Sequence, residues 1–169
     1  MVRPAPASAV ELSAQEIEAG LVYNFIRFTE WPPSSGAGPP GTLNLCIVGW
    51  DSLGNAFSPY EGRRITGREF KVQRHVLLED VTAKLCPAVY LASSETRRMN
   101  TTLRALAGQP ILTISGIDGF IGAGGMIQMV ISDDYVRFDV HVDSAAKVGI
   151  RFNANMLHAA RRRVFAPAQ

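Results

Sequence analysis

Between Tyr135 and Val142 polar and apolar residues alternate strictly. Val136, Phe138, Val140 and Val142 fall on one face, and Tyr135, Arg137, Asp139 and His141 on the other. A period of two is that of a half-buried antiparallel strand. Ser132-Asp133-Asp134 supplies turn chemistry before it. Upstream run PILTISG, the glycine-rich IDGFIGAGG and then MIQMVIS. From Pro110 to Val142 this predicts two core strands joined by a tight loop, with a hairpin leading to a third.

The remaining chain reads as helices and strands packed on this sheet. Ser13-Ala-Gln-Glu16 is a capping box. Behind it, Ile17, Leu21, Phe25 and Phe28 form one apolar helical stripe, which Trp31-Pro32-Pro33 stops. Residues 33–41 (PSSGAGPPG) read as a flexible connector. Leu43–Gly49 is a buried strand by its apolar run, and Asp51–Tyr60 a short helix capped by Asp51 or Ser52. Arg68–Leu77 alternates, with Phe70, Val72 and, more loosely, Val76 facing in. Cys86–Ala92 is another apolar strand. Ser94 is expected to cap a helix running through Ala107, with Met99, Leu103 and Leu106 inward and Gly108 closing it. A last helix is expected from about Asp143 or Asn153 to Val164, with Met156, Leu157, Ala160 and Val164 inward. Strands alternating with helices predict an α/β fold. The expectation is a single domain, a mixed β-sheet flanked by helices, with an antiparallel hairpin near the C-terminal half. Its expected extent is 13–166, after a disordered stub at 1–12.

Composition narrows the function classes. A chain of 169 residues, 47% hydrophobic, can bury a full core. No apolar run approaches the roughly 20 residues that span a bilayer. A net charge of +2 with interspersed signs argues against a dedicated nucleic-acid surface. The basic run Arg161-Arg162-Arg163 is expected to be a solvated face near a helix end, complementing the helix dipole. The first residues lack the apolar segment of a signal peptide, yet Ala7-Ser8-Ala9 has the small-residue pattern found where one ends. A chain trimmed near a cleavage site and an ordinary disordered tail both fit. Cys46 and Cys86 are the whole thiol inventory. With His75, His141 and His158 scattered, the choice lies between a disulfide and two buried thiols.

Candidate chemistry is sparse. In the loop Gly116–Gly125 the last position of a dinucleotide fingerprint is Ile127, and Gly125 stands where a P-loop needs lysine. Its glycines read better as conformational devices in a tight connection. Asp139, His141 and Asp143 form Asp-x-His-x-Asp, and on one strand face such a set could hold zinc or manganese. A polar ladder facing water is the plainer account. No nucleophile elbow and no distinctive carboxylate pair is present. No cofactor and no catalytic residue is assigned.

Taken together, the residues resemble the YfiR-like periplasmic proteins. Tyr23-Asn24-Phe25-Ile-Arg-Phe28-Thr29-Glu-Trp31-Pro32 is similar to their N-terminal helix signature, and Leu45–Gly49 to their first strand. Cys86 with Val89-Tyr90-Leu91 resembles their second cysteine strand. Pro110–Ser115, Gly119-Phe120 and Gly124–Ile127 resemble their most distinctive motif. Val136-Arg137-Phe138, Gly149-Ile150-Arg151, Leu157 and Ala160 fit the closing segments. Gly116, Pro87 and His141 depart from the pattern; asparagine is common at the last.

The resemblance implies a periplasmic regulator and no catalyst. Such proteins restrain a membrane-anchored diguanylate cyclase by binding its periplasmic sensor domain, lowering cyclic-di-GMP signalling. An OmpA-like outer-membrane lipoprotein can sequester them, and they form homodimers. The resemblance also implies a disulfide between Cys46 and Cys86. Some members bind a small aromatic molecule in a surface pocket, for which Arg27, Arg151 and Asn153 are the candidates here. Two alternatives to the repressor are a small-molecule sensor module and, behind it, a metal-dependent hydrolase using Asp139, His141 and Asp143.

Overall fold

Along β2 (Thr42–Val48), Leu43, Leu45 and Ile47 alternate with Asn44, Cys46 and Val48, and in the computed structural model both sets are buried. The structure describes residues 12–33, 41–132 and 135–165. A strand buried on both faces reads as one apolar run, the mark of a parallel sheet covered on both sides. Leu43, Leu45 and Ile47 join a core that includes Val22, Phe25 and Ile26 of α1 (Ala14–Arg27). Cys46 and Val48 join a smaller core with Leu103 and Leu106 of α2 (Met99–Leu106).

The sheet has eight strands among the described residues, in the order β10-β8-β7-β6-β5-β2-β4-β3. The others are β3 (Arg64–Ile65), β4 (Arg68–Val76), β5 (Ala88–Leu91), β6 (Leu112–Ser115), β7 (Ile127–Ile131), β8 (Val136–His141) and β10 (Arg162–Val164). From β4 through β2, β5 and β6 to β7 every neighbour is parallel. β7 and β8 form the expected antiparallel hairpin, with Met129 opposite Phe138. The fold is thus α/β with a mixed sheet. A separate two-stranded ladder pairs β1 (Thr29–Glu30) with β9 (Arg151–Phe152). Two short helices complete the order, α3 (Val142–Ala146) and α4 (Ala154–Ala159). Among the described residues no helix is long and apolar enough to cross a membrane.

Several local expectations are corrected. Ser13 does cap α1, accepting the Glu16 N–H at 3.2 Å. Of the expected stripe, Phe25 is buried and Leu21 and Phe28 pack against the core, but Ile17 is 36% exposed and the face is completed by Ala19, Val22, Tyr23 and Ile26. α1 ends before Trp31: the Thr29 hydroxyl donates to the Phe25 carbonyl at 2.6 Å, and Thr29–Glu30 is drawn into pairing with β9. Asp51–Tyr60 forms successive turns and no helix. The Asp51 carboxylate accepts from the Leu53 N–H, and Gly54 is left-handed at φ 53°. Ser94 caps nothing, because its hydroxyl accepts from the Trp50 N–H; a 3-10 turn at Ser93–Arg98 precedes α2. Gly108 closes α2 with φ 81° as expected. The final helix is broken into α3 and α4 around Gly149, whose φ is 78°. Val76 faces the smaller core, since His75 at φ 54° shifts the register. The stub expected at 1–12, apart from Leu12, and most of the connector at 33–41 lie outside the described residues.

Candidate functional site

Arg27, Arg151 and Asn153 lie 124 to 126 residues or two residues apart in sequence, and the β1–β9 ladder gathers them. Arg27 is the last residue of α1 and exposed, with its guanidinium 5.0 Å from the Phe28 ring centroid. Phe28 follows it, and the Phe28 carbonyl accepts from the Asn153 N–H at 2.9 Å. One rung further, Thr29 stands opposite Phe152 and Glu30 opposite Arg151. Arg151 lies in β9, and Asn153 follows that strand as the N-cap residue of α4.

Of the three, Arg151 lines a cleft of about 520 Å³. The opposite wall is Glu30, Trp31, Pro32 and Pro33. Trp31 is held by its indole N–H, which donates to the Pro87 carbonyl at 2.9 Å, tying the post-helical segment to the start of β5. Gly149 lines the same cleft, and a side chain there would put its Cβ 3.1 Å from Pro32 Cβ. Its positive φ and this close approach both call for glycine. Asn153 is engaged otherwise: its side-chain oxygen accepts from the Asn155 N–H at 2.8 Å and so caps α4. The sequence reading missed Trp31 and Gly149 as cleft residues. The Trp-Pro-Pro run stands out in the sequence as a helix stop and as part of the family signature, but neither feature by itself marks a cleft.

The Asp-x-His-x-Asp set is not brought together. Asp139 is wholly buried and accepts two N–H groups from Arg161 and two from Arg162, the Arg161 Nε bond being 2.8 Å. Burial by itself would raise its carboxyl pKa, but the two guanidiniums outweigh that and hold it below the usual carboxylate range. His141 caps α3, its Nδ1 accepting from the Ser144 N–H at 3.1 Å. Among the described residues no three His, Cys, Asp or Glu side chains are grouped to hold a metal ion. The basic run is corrected too. Arg162 and Arg163 belong to strand β10, parallel to β8, and two of the three arginines grip a buried acid.

Cys46 and Cys86 form a disulfide, their Cα atoms 5.6 Å apart. Cys46 lies mid-strand in β2, and Cys86 sits two residues before β5, its immediate neighbour.

Residues 15–161 match the YfiR/HmsC-like family. The chain belongs to that family. At family level it is a periplasmic regulator of diguanylate cyclase signalling, and the family is regulatory and non-catalytic. The YfiR/HmsC-like match covers α1, the disulfide, the glycine loop and the β1–β9 ladder with its cleft.

Proposed function

We propose that the protein binds the periplasmic sensor domain of an inner-membrane diguanylate cyclase and represses it, lowering cyclic-di-GMP. The match to the YfiR/HmsC-like family over residues 15–161 carries this reading. A disulfide between the two cysteines suits an oxidising compartment such as the periplasm. In this proposal 13–166 acts as one unit, works as a homodimer, and is withdrawn from the cyclase by an OmpA-like outer-membrane lipoprotein. Deleting the gene raises cellular cyclic-di-GMP, and restoring the gene reverses it. Unchanged cyclic-di-GMP on deletion, with no binding between the purified chain and the sensor domain, would remove the proposal.

A second reading is favoured by the cleft beside Arg151: a sensor for a small aromatic molecule. An arginine next to Trp31 and Pro32 offers a cation and ring faces to an aromatic carboxylate. Thermal shift with a panel of aromatic acids tests it, since a ligand of the native state raises the melting midpoint. Arg151→Ala removes the shift if the reading is right. No shift at millimolar ligand sets it aside.

A further inference from the structure

Three neighbouring parallel strands, β4, β2 and β5, end together: Val76 and Leu91 both stand opposite Val48. After β2 the next long strand, β4, is added on one side, whereas after β5 the next, β6, is added on the other. The segments that leave β2 and β5 therefore diverge. In open α/β sheets such a divergence opens a crevice beyond the carboxyl ends of the strands, where ligands bind. Here a cleft of about 560 Å³ occupies that place, within the range of small-molecule sites. It shares no lining residue with the cleft at Arg151.

Its walls are built with care for backbone contact. A Cβ at Gly49 would lie 2.6 Å from both Ser94 Oγ and Glu95 Cγ, so only glycine lets the two segments touch. The Trp50 N–H donates to Ser94 Oγ at 2.8 Å and joins them. Trp50 is 74% exposed, and its indole packs against the His75 ring, centroids 4.3 Å apart. His75 has φ 54°, at the point where the β2–β4 register slips. Bulges re-aim side chains next to functional sites, and left-handed residues other than glycine concentrate there. Glu95, 8% exposed, also lines the cleft and pairs with Arg98 at 2.9 Å, while Glu79 adds a second carboxylate from its exposed side.

We propose that this cleft binds a small organic cation: an ammonium, quaternary or primary, on a short apolar body. The indole face attracts such a group through its quadrupole. Two carboxylates against one guanidinium leave the lining negative, which disfavours an organic anion. Val76, Leu77 and Leu78 offer apolar surface to the body. Neither the regulator proposal nor the aromatic-ligand reading requires this site.

Calorimetric titration with choline and with benzyltrimethylammonium tests it, set against 3,3-dimethylbutanol, the uncharged isostere of choline. Both cations bind, choline about tenfold or more tighter than the alcohol. Trp50→Ala loses at least that factor with an unchanged melting midpoint, and Glu79→Gln weakens binding several-fold. No heat from either cation up to about 50 mM overturns the proposal. So does equal affinity for the neutral isostere, or undiminished binding by folded Trp50→Ala. Cosedimentation with phosphatidylcholine vesicles, absent with phosphatidylglycerol, assigns the ammonium to a lipid headgroup. Binding confined to free choline assigns it to a solute.

Discussion

Gly125 shows how a single hydrogen can decide a local structure. Its backbone is not left-handed, but a Cβ there would lie 2.3 Å from two ring carbons of Phe120, which is wholly buried. Gly119 and Gly124, with φ of 81° and 102°, meet the expectation of conformational freedom; Gly125 answers to proximity instead. Gly125→Ala is expected to destabilise the fold by about 1–3 kcal/mol, the usual cost of overpacking, read from denaturant midpoints. Gly116→Ala, with open space around its Cβ, serves as the control. His141 yields a second prediction. Burial, with help from Lys147 and against Asp143, lowers its pKa below 6.5. The unfolded chain therefore takes up the proton first as pH falls. The stability contributed by the neutral cap is complete above 6.5 and disappears as pH drops through the lower folded value. His141→Asn keeps an N-cap acceptor that does not titrate. Melting midpoints of the variant are expected to be flatter between about pH 7 and 5 than those of the wild type.

Among the elements, β10 depends most on a charge. It is three residues long and lies at the edge of the sheet, joined among the described residues only to β8. Arg162 stands opposite Asp139 in that ladder, and Arg161 reaches the same carboxylate. Asp139→Asn leaves both guanidiniums partly in water, so the expected loss is about 1–3 kcal/mol, below that of a fully buried pair. The sign with pH follows from the depressed folded pKa. The contribution is whole above 3.8, the ordinary value, and is lost as pH falls through the folded one. The stability gap between wild type and Asp139→Asn should narrow on acidification below that point, and a gap that stays constant would refute the role. Hydrogen exchange should show the β10 amides losing protection first in the variant.

For the whole molecule, the disulfide is the main covalent constraint. It closes a separation of 40 residues, a loop that spans β3, β4 and the surrounding turns. In the chain-entropy model such a closure contributes about 4 kcal/mol, acting mainly on the unfolded chain. Reduction, or Cys46→Ala with Cys86→Ala, is expected to lower the denaturant midpoint accordingly, with a slope change from a less compact unfolded state. If the reduced protein keeps its midpoint, the cross-link contributes little to stability.

What was legible in the sequence was whatever rests on periodicity and turn chemistry. The buried β2 and β5, the β7–β8 hairpin, the Ser13 cap and the closure of α2 at Gly108 all follow from neighbours within a few residues. The α/β class follows from their alternation. Tertiary structure decided the rest, because its causes lie far apart in the chain. Thr29–Glu30 left the helix for a partner at Arg151–Phe152, and Ser94 gave its hydroxyl to Trp50. Three arginines read as a wet helix end became, in part, the counter-charge of a buried aspartate 22 residues away. The two clefts were invisible for the same reason. Each is made where segments that share no local pattern are brought side by side, and a linear pattern carries no record of that meeting.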